Sequence, residues 1–286
     1  MNLEIYLKSH LQESTAKSYY YHINKFRLQN RNTEHYSYKK VMQYIEELRK
    51  NYPANTLRGI LFALKKYYEY LIETGIRKDN PTQSIKFRDA KETPIQHQDL
   101  FTDKELQELL EPRKERYPFL TLRNRIIISL LVYQAPTSGE LTELEVNAID
   151  LEKATIEIKP TALTNNRILP LKAEQILLLY KYINTDRNAL KTHREDKNML
   201  LLGKLGTPIQ IEDIIYLIST YQKRYTKKLT STTIRQSVIT NLLSKGNDLR
   251  MVQTFAGHKH LDTTEKYKQT GIKALQSAID KHHPLR

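Results

Sequence analysis

Near the end of the chain runs the stretch Ala256-Gly257-His258-Lys259-His260-Leu261-Asp262-Thr263-Thr264-Glu265-Lys266-Tyr267. It combines a Gly-His pair, a Thr-Thr pair and a tyrosine that follows His258 by nine positions. Tyrosine is common here, at 19 of 286 residues, so a tyrosine alone would carry no information about function. A compound spacing of several residue types rarely arises by chance, so this stretch carries more information about function than any residue in it alone.

The composition is that of a basic protein without cysteine. A length of 286 residues allows one large or two ordinary domains, each with its own core. The formal charge of +14 attracts polyanions and would supply the salt-sensitive part of nucleic-acid affinity, although a merely basic surface stays an open alternative. The absence of cysteine excludes disulfides, thiol nucleophiles and Cys-ligated zinc.

The sequence gives little support for a membrane protein or for a metal site. No apolar run approaches the roughly 20 residues of a membrane span, and the chain opens without a signal-like segment, so we expect a cytoplasmic protein. Two histidine pairs, His258 with His260 and His282 with His283, lack a third ligand at a convincing spacing. We therefore expect no metal and no other cofactor.

Residues 1–86 show helical periodicity. One apolar stripe consists of Leu57, Ile60, Leu61, Leu64, Tyr68 and Leu71. Asn55 is the expected N-cap of that helix and Gly75 its expected stop. Arg58, Lys65 and Lys66 are candidates for contacts to DNA phosphates, and a solvated polar face is the equally open alternative.

A polar segment without periodicity, residues 87–100, predicts a linker to a second domain over 101–286. In that domain Thr102 and Glu105 have the spacing of a capping box. The strongly apolar run 126–132 predicts a buried helix. Residues 154–158 and 167–171 predict a hairpin joined through the turn-prone 164–166. Further helices are expected over 174–182, 211–225 and 233–243. The predicted fold class is mostly α with a small antiparallel β-sheet.

The stretch 256–267 resembles the closing box of the tyrosine recombinases, the phage-integrase and Xer-like family. The layout resembles that family over nearly the whole chain, with 1–86 similar to its helical core-binding domain and 101–286 similar to its α+β catalytic domain. The resemblance implies double-stranded DNA as partner, clamped by the two domains, and a homo-oligomer that acts as a tetramer on paired sites. It also implies DNA recombination or integration, as in mobile elements.

The resemblance assigns roles to three residues. Tyr267 corresponds to the nucleophile that forms a 3′-phosphotyrosyl intermediate, Arg235 to the second arginine, and His258 to the later histidine, which bonds a DNA phosphate. An arginine and a histidine beside a nucleophile suit this chemistry. Attack on a phosphodiester develops negative charge, and preorganised hydrogen-bond donors stabilise that charge. No metal or nucleotide is needed, since the phosphotyrosyl bond retains the energy for religation.

Three positions depart from the family pattern. Thr137 stands where the first arginine is expected, Ala162 where the hairpin lysine is expected, and Thr232 where a histidine is expected. Loss of one transition-state donor typically costs about 10² to 10³ in rate. The cations that could substitute, on or beside the hairpin, are Lys159, Arg167 and Lys172.

The sequence leaves three functions open. The preferred one is a site-specific recombinase or integrase that cleaves through Tyr267. The alternative is a catalytically silent relative that binds DNA as an architectural or regulatory factor, which the three departures motivate. A basic helical RNA-binding protein is the third, and it uses the net charge alone.

Overall fold

The computed structural model describes residues 2–87, 95–190 and 198–268. It divides the chain into two compact units, Met1–Thr93 and Pro94–Arg286. The division falls within the predicted linker, but residues 88–94 of that segment lie outside the described part of the chain. The linker and the domain bounds therefore stay predictions.

The first unit is a bundle of helices. Its members are α1 (Leu3–His10), α2 (Glu13–Gln29), α3 (Tyr38–Arg49) and α4 (Ala54–Glu73). The predicted stripe of α4 is buried, and α4 packs against α1, α2 and α3. Two buried tyrosines have hydrogen-bond partners within the bundle: Tyr68 donates to the carbonyl of Thr33 at 2.9 Å, and Tyr6 donates to Glu73 at 3.1 Å.

The predicted C-terminal end of α4 is confirmed, and its predicted N-cap is wrong. Gly75 follows the C-cap in the left-handed region at φ 72°, as expected of a helix stop. Asn55 is not the N-cap, because the helix begins at Ala54 behind Pro53. A proline suits that place, since its φ is preset and its missing N–H is no loss at a helix start.

The second unit is mostly helical around one buried helix, α6 (Thr121–Tyr133). Ile126, Ile127, Ile128, Leu130 and Leu131 of α6 are each at most 1% exposed, which confirms the predicted buried helix. The other helices are α5 (Asp103–Glu108), α7 (Ser138–Thr142), α8 (Ala173–Lys181), α9 (Arg187–Leu190), α10 (Ile211–Ser219), α11 (Ser231–Ser244), α12 (Leu249–Ala256) and α13 (Leu261–Glu265). The helix α6 contacts α8, α10 and α11.

A small antiparallel sheet completes the second unit. Its strands are β1 (Ile149–Asp150), β2 (Thr155–Ile158) and β3 (Arg167–Pro170), in the spatial order β1-β2-β3. The hairpin of β2 and β3 is the predicted one, and its register places Ile158 opposite Arg167. β1 was not predicted, because two residues are too few to show alternation. The fold class, mostly α with a small antiparallel sheet, is confirmed.

One predicted helix start in the second unit is confirmed, and one predicted helix end is wrong. The capping box of Thr102 and Glu105 is present at the start of α5. The predicted helix 211–225 is wrong at its end, because the helix stops at Ser219. A separate turn follows, in which the side chain of Gln222 donates to the carbonyls of Tyr225 and Lys227. Within the described ranges no helix is long and apolar enough to cross a membrane.

Candidate active site

The closing stretch is tied to the tip of the β2–β3 hairpin. The amide of Asn165 donates to the carbonyl of Gly257 at 2.7 Å, and Thr164 and His258 form an antiparallel bridge. Gly257 ends α12 in the left-handed region at φ 70°. A Cβ at this position would lie 2.7 Å from Nη1 of Arg167 and 3.1 Å from the carbonyl oxygen of Asn165. The position thus requires glycine both for its backbone conformation and for the close approach.

Under that glycine lies a buried ion pair. Arg167 donates from Nη1 and Nη2 to the two carboxylate oxygens of Glu140, at 2.8 and 2.9 Å, and neither side chain has any exposed surface. The Thr164 hydroxyl and the Thr137 amide also donate to this carboxylate, at 2.7 and 2.8 Å. Burial would raise the pKa of Glu140, but the hydrogen bonds and charge of Arg167 outweigh it and leave the pKa at about 2. The carboxylate is therefore ionised at neutral pH.

Arg235 lies on α11 and is 7% exposed. Its Nη1 donates to the carbonyl of Ala135, beyond the end of α6, and its Nη2 donates to the carbonyl of Ala256, the last residue of α12. Burial lowers the pKa of the guanidinium, yet an arginine keeps its charge in proteins. Arg235 thus holds a buried positive charge between the ends of two helices.

His258 is 6% exposed and its imidazole lies against α13. Its Nδ1 is 2.9 Å from the hydroxyl of Thr264. Burial, followed by the charges of Arg235 and Arg167, lowers the pKa of His258 to about 4. The imidazole is therefore neutral at pH 7, and a neutral ring can donate from only one nitrogen.

Tyr267 stands beside His258. The two rings are stacked, with centroids 5.7 Å apart and planes inclined by 18°. The tyrosine ring also packs on a small cluster of Ile239, Val252 and Ala256. Burial raises the pKa of the phenol, and the positive charge of Arg235 opposes that rise, so Arg235 acts electrostatically on the hydroxyl. The structure thus brings together Tyr267, His258 and the charge of Arg235.

The three departing positions hold no cation. Thr137 is the N-cap of α7, and its hydroxyl accepts from the amide of Glu140 at 3.2 Å. Ala162 is exposed at the hairpin tip, and Thr232 is exposed in the first turn of α11. The helices α7 and α11 meet through a hydrogen bond of 2.7 Å between Ser138 and Ser231.

The candidate substitutes on the hairpin have other partners. Lys159 pairs with Glu145 at 2.5 Å, with 55% of its side chain exposed. The Nζ of Lys172 lies 6.0 Å from the centre of the Tyr133 ring. Arg167 is buried against Glu140, so the structure makes it an internal partner of that carboxylate rather than the DNA contact that the sequence suggested.

The candidates on α4 divide into two groups. Arg58 is exposed and lies over the ring of Phe62, with 5.7 Å from its guanidinium carbon to the ring centre. Lys65 follows on the same helix face and reaches the carbonyl of Gln83 at 3.4 Å. Lys66 instead pairs with Glu69 at 2.7 Å. Lys66 therefore differs from Arg58 and Lys65 in having a carboxylate as its partner.

Sequence reasoning missed the polar groups behind the site. Glu140 was not singled out from the sequence, and Thr264 appeared only as part of the closing stretch. The signal for Glu140 was present, since Thr137 and Glu140 have capping-box spacing. No group of three or more His, Asp or Glu in the described ranges could hold a metal ion.

Two protein-family models match this chain, one in each unit. The family model described as "Phage integrase family" matches residues 99–272, and "Phage integrase, N-terminal SAM-like domain" matches residues 3–75. A tyrosine recombinase XerC of Lactobacillus delbrueckii subsp. bulgaricus is 29% identical over 235 residues, 82% of this chain and 78% of that protein. The XerC of Thermodesulfovibrio yellowstonii is 27% identical over 247 residues, 84% of this chain and 79% of that protein.

Solved structures share the fold. The Tn1549 transposon integrase in complex with a circular intermediate DNA has a TM-score of 0.68 at 15% identity, covering 98% of this chain and 99% of that one. XerH bound to a palindromic difH substrate has a TM-score of 0.68 at 19% identity, covering 91% and 76%. The catalytic-domain model alone spans more than half of the chain. The chain therefore belongs to the phage integrase family, the tyrosine recombinases.

Proposed function

We propose that the protein is a site-specific DNA recombinase that cleaves and rejoins double-stranded DNA through Tyr267. The observation that carries the proposal is the stack of Tyr267 on His258 within reach of the charge of Arg235. A phenol alone on a helix would be an ordinary packing residue. A phenol beside a neutral imidazole and a buried cation has the neighbours that phosphoryl transfer requires.

The proposed reaction is an in-line displacement at phosphorus. The Oη of Tyr267 attacks the scissile phosphate, the bond from phosphorus to the 5′ oxygen breaks, and a 3′-phosphotyrosyl bond forms. The phenol loses its proton and the leaving 5′ oxygen gains one. Arg235 and a hydrogen bond from His258 stabilise the negative charge that develops on the non-bridging oxygens. Attack by a 5′ hydroxyl of a second strand then reverses the step and rejoins the DNA.

The catalytically silent relative is the competing function, and one observation favours it. The hydroxyl of Thr137 is turned to its own helix as an N-cap, so the place of the first arginine offers no charge to a phosphate. Groups that act together in an active site are not additive, so the combined loss at Thr137, Ala162 and Thr232 is smaller than the product of single losses. Our proposal therefore predicts slow cleavage, whereas the silent relative predicts none.

Contacts to DNA are proposed for both units. In the first unit, the face of Arg58, Phe62 and Lys65 presents two cations around an exposed ring, which suits a phosphate backbone. In the second unit, the DNA phosphate lies at Tyr267. The Tn1549 integrase and XerH were solved in complexes with DNA, which supports duplex DNA as the partner. A homo-oligomer of four copies on two paired sites, and action in the cytoplasm, stay predictions.

A covalent-trapping experiment tests the proposal. Selection of bound duplexes from a random-sequence pool on the full chain supplies the binding site, and a nick beside the cleavage position then traps the intermediate. We expect a protein–DNA adduct on a denaturing gel with the wild type. We also expect the adduct with Tyr216→Phe, since Tyr216 is 61% exposed on α10, but none with Tyr267→Phe.

Absence of any adduct on a duplex that the wild type binds would reject cleavage and favour the silent relative. A preference for single-stranded RNA over duplex DNA at matched salt would reject both.

A further inference from the structure

Thr264 is buried behind the imidazole that the proposed reaction uses. Its side chain is 0% exposed, and its hydroxyl lies 2.9 Å from Nδ1 of His258. In the described ranges, that nitrogen is the one hydrogen-bond partner of the hydroxyl. The direction of this single hydrogen bond decides where the proton of the neutral imidazole sits.

The burial of the hydroxyl fixes the direction. If Nδ1 carried the proton and donated to Thr264, the hydroxyl proton would itself be buried without an acceptor. An unsatisfied buried donor is costly, whereas the lone pair of Nδ1 accepts that proton directly. Thr264 therefore donates, Nδ1 accepts, and the ring proton is left on Nε2.

The backbone keeps the ring in this place. The amide of His258 donates to the carbonyl of Gln253 at 3.1 Å, and the side-chain amide of Gln253 donates back to the carbonyl of His258 at 3.0 Å. The bridge to Thr164 holds the other side of the same residue. With the main chain held on both sides, the hydroxyl of Thr264 acts on a ring that has little freedom to turn away.

We infer that Thr264 is a positioning residue whose hydroxyl holds His258 as the tautomer protonated on Nε2, the form that donates a hydrogen bond to the scissile phosphate. Its effect on cleavage rests on the proposed function, while the tautomer itself does not. The lowered pKa of His258 agrees with it, because a protonated ring would carry a proton on Nδ1 as well and would leave the hydroxyl of Thr264 without an acceptor.

Nuclear magnetic resonance tests the tautomer directly. The full chain is labelled with ¹⁵N-histidine, and long-range proton–nitrogen correlations report which ring nitrogen is protonated. The signals of His258 are those that vanish in His258→Gln. We expect a protonated Nε2 and an unprotonated, hydrogen-bonded Nδ1 in the wild type and in Thr264→Ser. In Thr264→Val, which keeps the shape but lacks the hydroxyl, the Nδ1 signal should move to the position of a nitrogen without a hydrogen bond.

A proton found on Nδ1 in the wild type overturns the inference. So does an unchanged Nδ1 signal in Thr264→Val, or a Thr264→Ser variant that behaves like Thr264→Val, since packing rather than the hydroxyl would then matter. These outcomes are read without any reaction, so they remain decisive even if the wild type forms no adduct with DNA.

The trapping assay supplies the second readout. We expect adduct formation to slow about fivefold in Thr264→Val, the worth of one ordinary hydrogen bond, with DNA affinity unchanged and Thr264→Ser close to wild type. A wild type that cleaves, together with a Thr264→Val variant that cleaves equally fast, would overturn the link from the tautomer to the reaction.

Discussion

Gly257→Ala should destabilise the second unit more than an ordinary glycine replacement does. The left-handed backbone at φ 70° costs roughly 1–2 kcal/mol for a residue with a Cβ. The added methyl group would also lie 2.7 Å from Nη1 of Arg167, whose guanidinium is held in two hydrogen bonds to Glu140. Overpacking a fixed neighbour adds about 1–3 kcal/mol, so we expect a total loss of about 2–5 kcal/mol in the free energy of unfolding.

Gly246→Ala is the matched control. Gly246 follows α11 in the same unit at φ 82°, and no atom lies within 4 Å of its Cβ position. The control thus retains the backbone cost of about 1–2 kcal/mol and removes the clash. Urea unfolding of the full chain, followed by far-ultraviolet circular dichroism, compares the two midpoints. Equal losses in the two variants would refute the close packing of Gly257 on the buried ion pair.

Three further predictions follow from the charges. Glu140→Gln should cost about 3–5 kcal/mol of stability, because it leaves a buried arginine without its charge partner. Glu145→Gln, which removes the carboxylate of the more exposed pair with Lys159, should shift the urea midpoint much less, and urea unfolding of both variants measures the difference. His258 is neutral when folded, so stability should fall by about 3 kcal/mol as the pH drops from about 6.5 to about 4, and His258→Gln should flatten that pH window in denaturation curves. Between pH 4.5 and about 2, Glu140 takes up a proton in the unfolded chain but stays ionised in the folded one, which should add to the loss of stability. Arg58→Ala should reduce the salt slope of DNA binding by about one, while Lys66→Ala leaves it unchanged; fluorescence anisotropy over a salt series measures both.

The sequence predicted the elements whose signal is local. The buried helix 126–132 and the hairpin around 164–166 carry their periodicity and turn residues within a few positions, and both are present. Helix ends were less certain, as at Asn55 and at the end of α10, because several nearby residues could cap equally well from sequence. The strand β1 has too few residues to leave a pattern.

The sequence identified residues of the candidate site but not the contacts between them. The spacing of His258 and Tyr267 marked the two residues, and the stack of their rings is geometry that no spacing specifies. The sequence likewise offered Arg167 as a free cation near the hairpin. Only the fold reveals that its partner is Glu140, 27 positions away, because that contact depends on how the hairpin lies against α7.

Arg235 has a structural task that is separate from any reaction. Its guanidinium donates hydrogen bonds to the carbonyls of Ala135 and Ala256 and so links the C-terminal ends of α6 and α12. Natural selection for a stable fold would preserve this arginine even in a lineage that had abandoned strand cleavage. The presence of this arginine alone is therefore no evidence of strand cleavage in a related chain.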